Sequence, residues 1–270
     1  MFKQIVSPNN TFIKELVQLK EKARIRKKSQ LFLIEGLREI AMAIDGNYQI
    51  QTLLVDASII LDVDIEKLVS SVNFEIDIIQ ISNEVYKKLA LRETTEGILA
   101  VARSKDLSLN SFTLKNDDPL ILVAESPEKP GNIGALLRSA EAAGTDAVLI
   151  ANPKTDIYNP NVIRSSIGTV FTSNIAIGTT SEIILFLKEH KIPIYGAALT
   201  GSVEYQTIDY KKPSAVVVGT EATGLTDEWL QNTTANVIIP MHGKIDSLNV
   251  SVSAAIILFE AIRQRKNSAR

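Results

Sequence analysis

Short apolar runs alternate along the chain with segments in which apolar residues recur at helical spacing, and this pattern predicts an α/β protein. In the first half, the pattern predicts helices over residues 16–30, 32–46 and 83–91, and strands over 50–55, 74–81 and 98–103. Ser82 precedes the third helix and is a favoured N-cap residue. The polar stretch 105–118 lacks periodicity and is predicted to be a linker.

The second half repeats the alternation with shorter and more apolar strands. Strands are predicted over residues 120–124, 147–151, 194–198, 215–219 and 237–239, and helices over 134–143, 162–170, 181–190, 227–231 and 250–264. Wholly apolar strands between helices indicate a parallel sheet that is covered on both faces. Ligands of such sheets bind beyond the carboxyl ends of the strands, so the polar loops that follow the strands are the candidate sites.

Three loops that follow predicted strands combine Gly with polar side chains. Residues 125–138, ESPEKPGNIGALLR, place Asn132 near a helix start and Arg138 about one and a half turns later. Residues 219–225, GTEATGL, bracket Glu221 between glycines. Residues 239–253, IPMHGKIDSLNVSVS, deliver Ser247 and Asn249 to the start of the last helix, where free N–H groups favour ligand binding.

Each loop also has a purely structural interpretation. Asn132 and the residues before the last helix are good N-caps, Arg138 suits a surface, and Glu221 suits a turn. The turn GTEATGL is neither a dinucleotide-binding fingerprint nor a Walker loop. The residues alone therefore predict an α/β domain with a polar site formed by three loops, and they do not specify its reaction.

Composition narrows the chemistry further. The chain has no Cys, and its two His residues, His190 and His242, lie far apart, so disulfides, thiolate catalysis and a metal site are not expected. No charged and apolar leader opens the sequence and no apolar run is long enough to span a bilayer, which favours the cytoplasm.

The small net charge of −2 conceals a basic segment near the start of the sequence. Residues 1–28 contain eight Lys or Arg and two Glu, a local net charge of +6. Such a segment can contact phosphates, and it can equally form a solvated helix face.

In order and spacing, the three loops resemble the three motifs of the SpoU (TrmH) family of RNA 2′-O-ribose methyltransferases. The matching segments are NIGALLRSAEAAG at 132–144, GTEATGL at 219–225 and IPMHGKIDSLNVSVS at 239–253. The first half resembles the substrate-binding domain that often precedes this catalytic domain, through FLIEGLREI at 32–40 and TTEGILAV at 94–101.

The resemblance implies a particular architecture. It implies a C-terminal parallel-sheet domain of SPOUT type with a trefoil knot, preceded by a smaller α/β domain like those of RNA-binding ribosomal proteins. The expected divisions are residues 1–105 for RNA substrate binding, 106–117 for the linker and 118–270 for the knotted methyltransferase domain. The family also implies a homodimer with its active site near the subunit interface.

The resemblance further implies S-adenosylmethionine as the cofactor and a ribose 2′-oxygen as the methyl acceptor. The positions that match cofactor contacts of the family are Leu199, Thr200, Gly201, Gly219, Ile239 and Leu248. The positions that match its catalytic residues are Asn132, Arg138, Glu221, Ser247 and Asn249. Because a guanidinium group stays protonated in proteins, Arg138 is better suited to bind phosphate and polarise the 2′-hydroxyl than to act as a free base.

RNA is the implied partner. The candidate RNA-binding residues are Lys20, Arg24, Lys27, Lys28 and Arg164, although Arg164 also suits a structural ion pair. Ribosomal RNA is the expected substrate, because relatives with this front domain often act on it. A transfer RNA methyltransferase, an enzyme for small molecules or proteins, and a non-catalytic RNA-binding relative are the alternatives.

Overall fold

A computed structural model describes residues 3–92, 96–220 and 222–268. The strands in chain order are β1 Lys3–Ile5, β2 Leu31–Glu35, β3 Ile50–Val55, β4 Asp77–Ile81, β5 Ile98–Arg103, β6 Leu120–Glu125, β7 Ala147–Ala151, β8 Ile175–Gly178, β9 Ile194–Ala197, β10 Ser202–Glu204, β11 Ser214–Val218 and β12 Ala235–Ile238. The helices are α1 Thr11–Glu21, α2 Ala23–Ser29, α3 Leu37–Asp45, α4 Asp62–Ser70, α5 Asn83–Leu89, α6 Pro130–Ala143, α7 Pro160–Ser166, α8 Thr169–Thr172, α9 Thr180–Glu189, α10 Asp227–Asn232 and α11 Val250–Ser268.

The chain forms two compact units. The N-terminal unit comprises Met1–Lys105 together with Asp156–Thr172, and the C-terminal unit comprises Asp106–Thr155 together with Ser173–Arg270. The sheet of the N-terminal unit has the order β1-β4-β3-β5-β2, in which β5 runs antiparallel to both of its neighbours. Its core on one side includes Ile13, Leu54 and Val85, which are fully buried.

Two predicted helices of this unit differ from the structure. The single helix predicted over 16–30 is two helices, α1 and α2, because Lys22 adopts an extended conformation between them. The helix predicted over 32–46 is wrong in its first part, where β2 pairs with β5. Ile34 belongs to that strand, and Gly36 ends it with a φ of 106° that other residues rarely adopt.

Residues 156–172 contribute to the core of the N-terminal unit. The ring of Tyr158 stacks on Phe32 with centroids 4.4 Å apart, and the edge of Tyr48 packs against both rings. Arg26 is buried, and its Nε lies 2.5 Å from Oδ2 of Asp156. This segment therefore supplies both apolar contacts and a counter-charge inside the unit.

Asp56 closes the turn that follows β3. Its carboxylate accepts hydrogen bonds from the Ser58 amide at 3.0 Å, the Ser58 hydroxyl at 2.6 Å and Nδ2 of Asn83 at 2.9 Å. Burial alone would raise the pKa of Asp56, but these hydrogen bonds outweigh it and hold the pKa below its ordinary value. The ionised carboxylate thus stabilises this turn.

The C-terminal unit contains a seven-stranded sheet with the order β10-β12-β9-β11-β6-β7-β8. Every pair of neighbouring strands in it is parallel, which confirms the predicted parallel sheet. The central strands β6, β7 and β11 are buried along their whole length. Helix α11 packs against α6 and β11, and Trp229 of α10 is completely buried in the core.

Residues 106–117 are not structureless. They contain a 3₁₀ helix over Leu109–Ser111, and the amide of Ile177 donates to the carbonyl of Leu107 at 2.6 Å. Leu109, Phe112 and Leu114 are half-buried against the core of the C-terminal unit. The predicted helix over 162–170 is interrupted at Gly168, whose φ is 85°, and is therefore α7 and α8.

Candidate functional site

The loops that follow β9, β11 and β12 meet beyond the carboxyl ends of these strands, where they enclose a cavity of about 420 Å³. The loops after β11 and β12 are the second and third motif loops. Its lining comes from these loops and from Val250, Ser253 and Ile257 of α11. The sequence-predicted residues that line it are Leu199, Thr200, Gly219, Ile239, Ser247 and Leu248. Gly201 follows directly after two of these residues, but it is exposed and does not line the cavity.

A smaller cavity of about 140 Å³ adjoins the first. The two share the walls formed by Val218, Gly219, Thr220, Ala222 and Val250. The remaining wall comes from the loop after β6 and the first turns of α6, and it includes Asn132. The structure thus brings the first motif beside the pocket that the second and third motifs form.

The second motif is a turn closed tightly on itself. The amides of Thr220 and Gly224 each donate to the carbonyl of the other at 3.0 Å, and the hydroxyls of Thr220 and Thr223 lie 2.8 Å apart. A Cβ at Gly219 would lie 2.2 Å from the carbonyl carbon and oxygen of Gly224. Only Gly therefore fits at position 219. The predicted catalytic residue Glu221 lies outside the described residues, as do Thr94 and Thr95 of the weaker front motif.

A hydrogen bond joins the first and third motifs. Nδ2 of Asn249 donates to Oδ1 of Asn132 at 3.2 Å. Oδ1 of Asn249 accepts from the amide of Ser251 at 3.0 Å and from its hydroxyl at 2.6 Å, so Asn249 also caps α11. The capping interpretation of Asn249 is therefore confirmed, and its predicted role in the site stays a prediction. The capping interpretation of Asn132 is wrong, because Lys129 occupies the N-cap of α6.

Arg138 lies on α6 and is exposed. It lines neither cavity, and within the described part of the chain no hydrogen bond or ion pair engages its guanidinium group. The side chain is therefore available to a ligand that approaches from outside. Ser247 is also exposed, in the loop that precedes α11.

Sequence reasoning missed one acidic residue in this region. Glu125 ends β6, is 3% exposed and lines the smaller cavity. Its Oε2 accepts hydrogen bonds from Oγ1 of Thr180 and Nε1 of Trp229, both at 2.7 Å, and its Oε1 accepts from the Ser126 hydroxyl at 2.9 Å. The available signal was a single carboxylate at the end of the apolar run LILVAE.

The predicted RNA-binding residues all belong to the N-terminal unit. Arg24, Lys27 and Lys28 are exposed on α2, where they form a short cationic surface. Arg26 of the same helix points inward to Asp156 and does not contribute to that surface. The charge available to a partner is accordingly smaller than the sequence total.

Lys20 and Arg164 line a small crevice with Glu35 and Arg92. Lys20 is half-buried, and its Nζ donates to the carbonyl of Lys88 at 2.8 Å. Arg164 is exposed, and no ion pair joins it to another residue that the structure describes. Burial raises the pKa of Glu35, although nearby backbone amides and Arg92 act in the opposite direction.

The described residues contain neither a candidate metal site nor a candidate membrane-spanning helix. No group of three or more acidic or His side chains is arranged to bind a metal ion. In residues 3–92, 96–220 and 222–268, no helix has both the length and the apolar character needed to cross a bilayer.

Comparison with family models identifies both halves of the chain. Residues 119–259 match the model of the SpoU rRNA Methylase family, and residues 10–100 match that of the MRM3-like substrate binding domain. The first match covers the three motif loops and both cavities. The second covers most of the N-terminal unit.

Known proteins with this organisation are similar along nearly the whole chain. The Bacillus subtilis 23S rRNA (guanosine(2553)-2′-O)-methyltransferase RlmP is 29% identical over 257 residues, which are 95% of this chain and 98% of that protein. A solved RNA 2′-O ribose methyltransferase is 38% identical with a TM-score of 0.85, covering 97% of this chain and 99% of its own.

An rRNA methyltransferase from Sinorhizobium meliloti, solved with bound AdoMet, is 26% identical with a TM-score of 0.88 over 97% of this chain and 98% of its own. The fold, the order of the motifs and the family model agree. This chain therefore belongs to the SpoU rRNA methylase family.

Proposed function

We propose that this protein is an S-adenosylmethionine-dependent RNA 2′-O-ribose methyltransferase that acts on ribosomal RNA. The observation that carries the proposal is the pair of adjoining cavities at the carboxyl edge of a parallel sheet, one lined by the second and third motif loops and the other reaching Asn132. One site suits a cofactor and the next suits an acceptor group. The name of the Bacillus subtilis relative and the AdoMet bound in the Sinorhizobium structure support the same activity.

The larger cavity fits S-adenosylmethionine. Its volume of about 420 Å³ lies within the range of about 300–1,000 Å³ that is typical of small-molecule sites. Gly219 lines this cavity, and Leu199, Ile239 and Leu248 offer apolar surface for an adenine ring. Thr200 would border the same ligand, and Gly201, which does not line the cavity, would contact it only at its edge. When bound, the cofactor supplies a methyl group on an electrophilic sulfonium centre.

The chain's own residues orient the acceptor. Asn132 and Asn249 form a fixed amide pair beside the smaller cavity, where they can hold ribose hydroxyl groups. Arg138 binds the adjacent phosphate, because guanidinium makes bidentate contacts with phosphate oxygens, and it polarises the 2′-hydroxyl. Glu221 orients Arg138 or Asn132, and Ser247 fixes the conformation of the third motif loop. Placing the hydroxyl in line with the methyl group supplies much of the acceleration through proximity.

RNA recognition is assigned to the front of the chain. We propose residues 1–105 as the RNA substrate-binding domain, 106–117 as the linker and 118–270 as the knotted methyltransferase domain. Lys20, Arg24, Lys27, Lys28 and Arg164 bind phosphates of structured RNA, because phosphate contacts dominate RNA affinity. The lack of an ion-pair partner for Arg164 among the described residues supports its part in this set.

We further propose that the protein is a homodimer that pairs through α11. Val252 and Phe259 lie two helical turns apart on α11 and are 46% and 49% exposed. Burying these apolar side chains against a second copy would remove them from water. Phe259→Asp should yield monomers in analytical ultracentrifugation. Arg263→Asp is the control, because it replaces an exposed charged residue of the same helix, and it should leave the dimer intact. A Phe259→Asp dimer would refute this interface.

The trefoil knot and the cytoplasmic location also remain proposals. The third motif loop precedes α11, and α11 returns to pack against α6 and β11 at the centre of the sheet, which supports threading. A threaded end must pass through a loop during folding. A stable domain fused after Arg270 should therefore slow refolding more than the same domain fused before Met1, and equal rates would contradict the knot. A ribosomal RNA substrate favours the cytoplasm.

Transfer of a labelled methyl group tests the activity. The full-length protein is incubated with methyl-labelled S-adenosylmethionine and either ribosomal RNA transcripts or transfer RNA. We expect label in ribosomal RNA, and we expect it to be lost when the mapped target nucleotide is replaced by its 2′-deoxy form. Label in transfer RNA alone would support the transfer RNA alternative. Cofactor binding without transfer to any RNA would indicate a non-catalytic relative.

A further inference from the structure

The buried carboxylate of Glu125 lies at the base of the loop that leads to Asn132. An ionised carboxylate can only accept hydrogen bonds, and three donors converge on this one. No cation pairs with it among the residues the structure describes. Burying a carboxylate without a counter-charge costs stability. The presence of an acidic residue here is therefore better explained by the local structure that its hydrogen bonds hold in place than by a gain in stability.

The donors come from separate parts of the C-terminal unit. Thr180 begins α9, and Trp229 lies on α10, which follows the second motif. The hydroxyl of Thr180 also accepts from Nδ2 of Asn152, which follows β7, at 2.8 Å. Glu125 therefore connects the carboxyl ends of β6, β7 and β8 to α10, the helix that follows the GTEATGL turn.

Ser126 is held in an unusual conformation by this arrangement. Its φ is 43°, a left-handed value that disfavours residues with a Cβ. Two hydrogen bonds keep it there, one from its amide to the carbonyl of Ala151 at 2.8 Å and one from its hydroxyl to Glu125. Such conformations persist where the surrounding structure imposes them, often at functional sites.

The loop is anchored again before it reaches α6. The amide of Lys154 donates to the carbonyl of Pro127 at 3.2 Å, and the hydroxyl of Thr155 donates to the carbonyl of Glu128. The course of the chain from β6 to Asn132 is thus determined at its start by Ser126 and in its middle by these backbone contacts.

We propose that Glu125 is a positioning residue for methyl transfer. By accepting from Ser126, Thr180 and Trp229, it fixes the turn that places Asn132 beside the cofactor cavity. This inference rests on the proposed function. Glu125 does not touch the reacting groups, because both of its oxygens are already engaged and the side chain is 3% exposed.

Two substitutions at Glu125 separate shape from charge. Glu125→Ala removes all three acceptor contacts, and we expect kcat to fall on the order of 100-fold, the effect of a misplacement of about 1 Å. The dissociation constant for S-adenosylmethionine should stay within about twofold, because Glu125 does not line the larger cavity. Glu125→Gln keeps an oxygen for Thr180 and Trp229 and an amide that can donate to Ser126, so its kcat should stay within about threefold of wild type.

Two substitutions at Ser126 test the turn itself. Ser126→Gly removes the hydroxyl but adopts a positive φ without strain, so kcat should remain near the wild-type value. Ser126→Ala loses the same hydrogen bond and retains the strain, so kcat should fall. Equal kcat values for the Gly and Ala variants would overturn the role of the turn.

Trp229 supplies a direct readout, because it is the only Trp of the chain. Its fluorescence emission should shift in Glu125→Ala and stay in place in Glu125→Gln. A Glu125→Ala protein with shifted emission and wild-type kcat would overturn the proposal, as would a Glu125→Gln protein as slow as Glu125→Ala. A fall in cofactor affinity that parallels kcat would reduce Glu125 to a merely structural residue. An inactive wild type would refute the proposed function itself, whereas active wild type with active Glu125→Ala refutes this inference alone.

Discussion

Adding one methyl group at Gly219 should weaken cofactor binding. In Gly219→Ala the new Cβ would lie 2.2 Å from the carbonyl carbon and oxygen of Gly224 and 2.5 Å from the amide nitrogen of Leu225. Ordinary contacts between carbon atoms are about 3.5–4.0 Å, so one side of the turn must move by more than about 1 Å. The obstructing atoms are backbone, and no side-chain rotation can relieve the clash.

The size of the effect follows from what must move. The turn is closed by the paired hydrogen bonds between Thr220 and Gly224, both 3.0 Å long, and a displacement of this size breaks them. Overpacking of this kind typically costs about 1–3 kcal/mol. Because the same turn forms a wall of the larger cavity, we expect S-adenosylmethionine affinity to fall by about 5- to 150-fold.

Isothermal titration calorimetry of the folded protein with S-adenosylmethionine measures this loss, and circular dichroism establishes that the variant is folded. Gly243→Ala is the matched control, since it lies in the third motif loop and its added Cβ would meet no atom within 4 Å. Affinity of Gly219→Ala within about twofold of wild type would refute the steric argument. An equal loss in Gly243→Ala would show that the effect is not specific to the clash.

Four other sites yield further tests. Arg138→Ala should abolish methyl transfer and leave cofactor binding intact, because Arg138 lines neither cavity; a matching loss of cofactor affinity would contradict its role. Reversing the charges of Lys27 and Lys28 should flatten the slope of log RNA affinity against log salt by about 1.4, and an unchanged slope would remove this surface from the interface. Asn249→Asp keeps the cap of α11 but loses the donor to its amide partner on α6, so kcat should fall while the melting temperature hardly changes; unchanged kcat would count against the amide pair. Hydrogen bonds hold the pKa of Asp56 low, so the stability it contributes is present above the ordinary pKa of about 3.9 and is lost as the pH falls below it. The difference in unfolding free energy between wild type and Asp56→Asn, measured with urea, should therefore be large at neutral pH and vanish in acid, and a difference independent of pH would exclude this explanation.

The parallel sheet of the C-terminal unit was predictable because its central strands are uninterrupted apolar runs between helices. Strands β8 and β10 could not be predicted, because IAIG in β8 is too short to show a periodicity and SVE in β10 is polar. The strand character of β10 comes from its pairing with β12, which is a property of the folded sheet. Residues 32–35 were misassigned because the apolar spacing of a strand merged with that of the helix that follows it.

The candidate site was predictable as a set of loops, but its internal contacts were not. The hydrogen bond from the side-chain amide of Asn249 to that of Asn132 joins residues 117 positions apart, so it depends on the tertiary fold. Glu125 escaped attention for a related reason. Its partners Thr180 and Trp229 are 55 and 104 positions away, and nothing local in the sequence distinguishes it from a carboxylate at a strand end.

The membership of residues 156–172 in the N-terminal unit has a consequence for any attempt to exchange modules between relatives. A fragment that ends at Lys105 would carry the buried cation of Arg26 without Asp156 and an aromatic core without Tyr158. Exchanging the N-terminal unit for that of a relative therefore requires transferring residues 156–172, between β7 and β8, as well. During divergence, substitutions in the two segments should have been inherited as a pair.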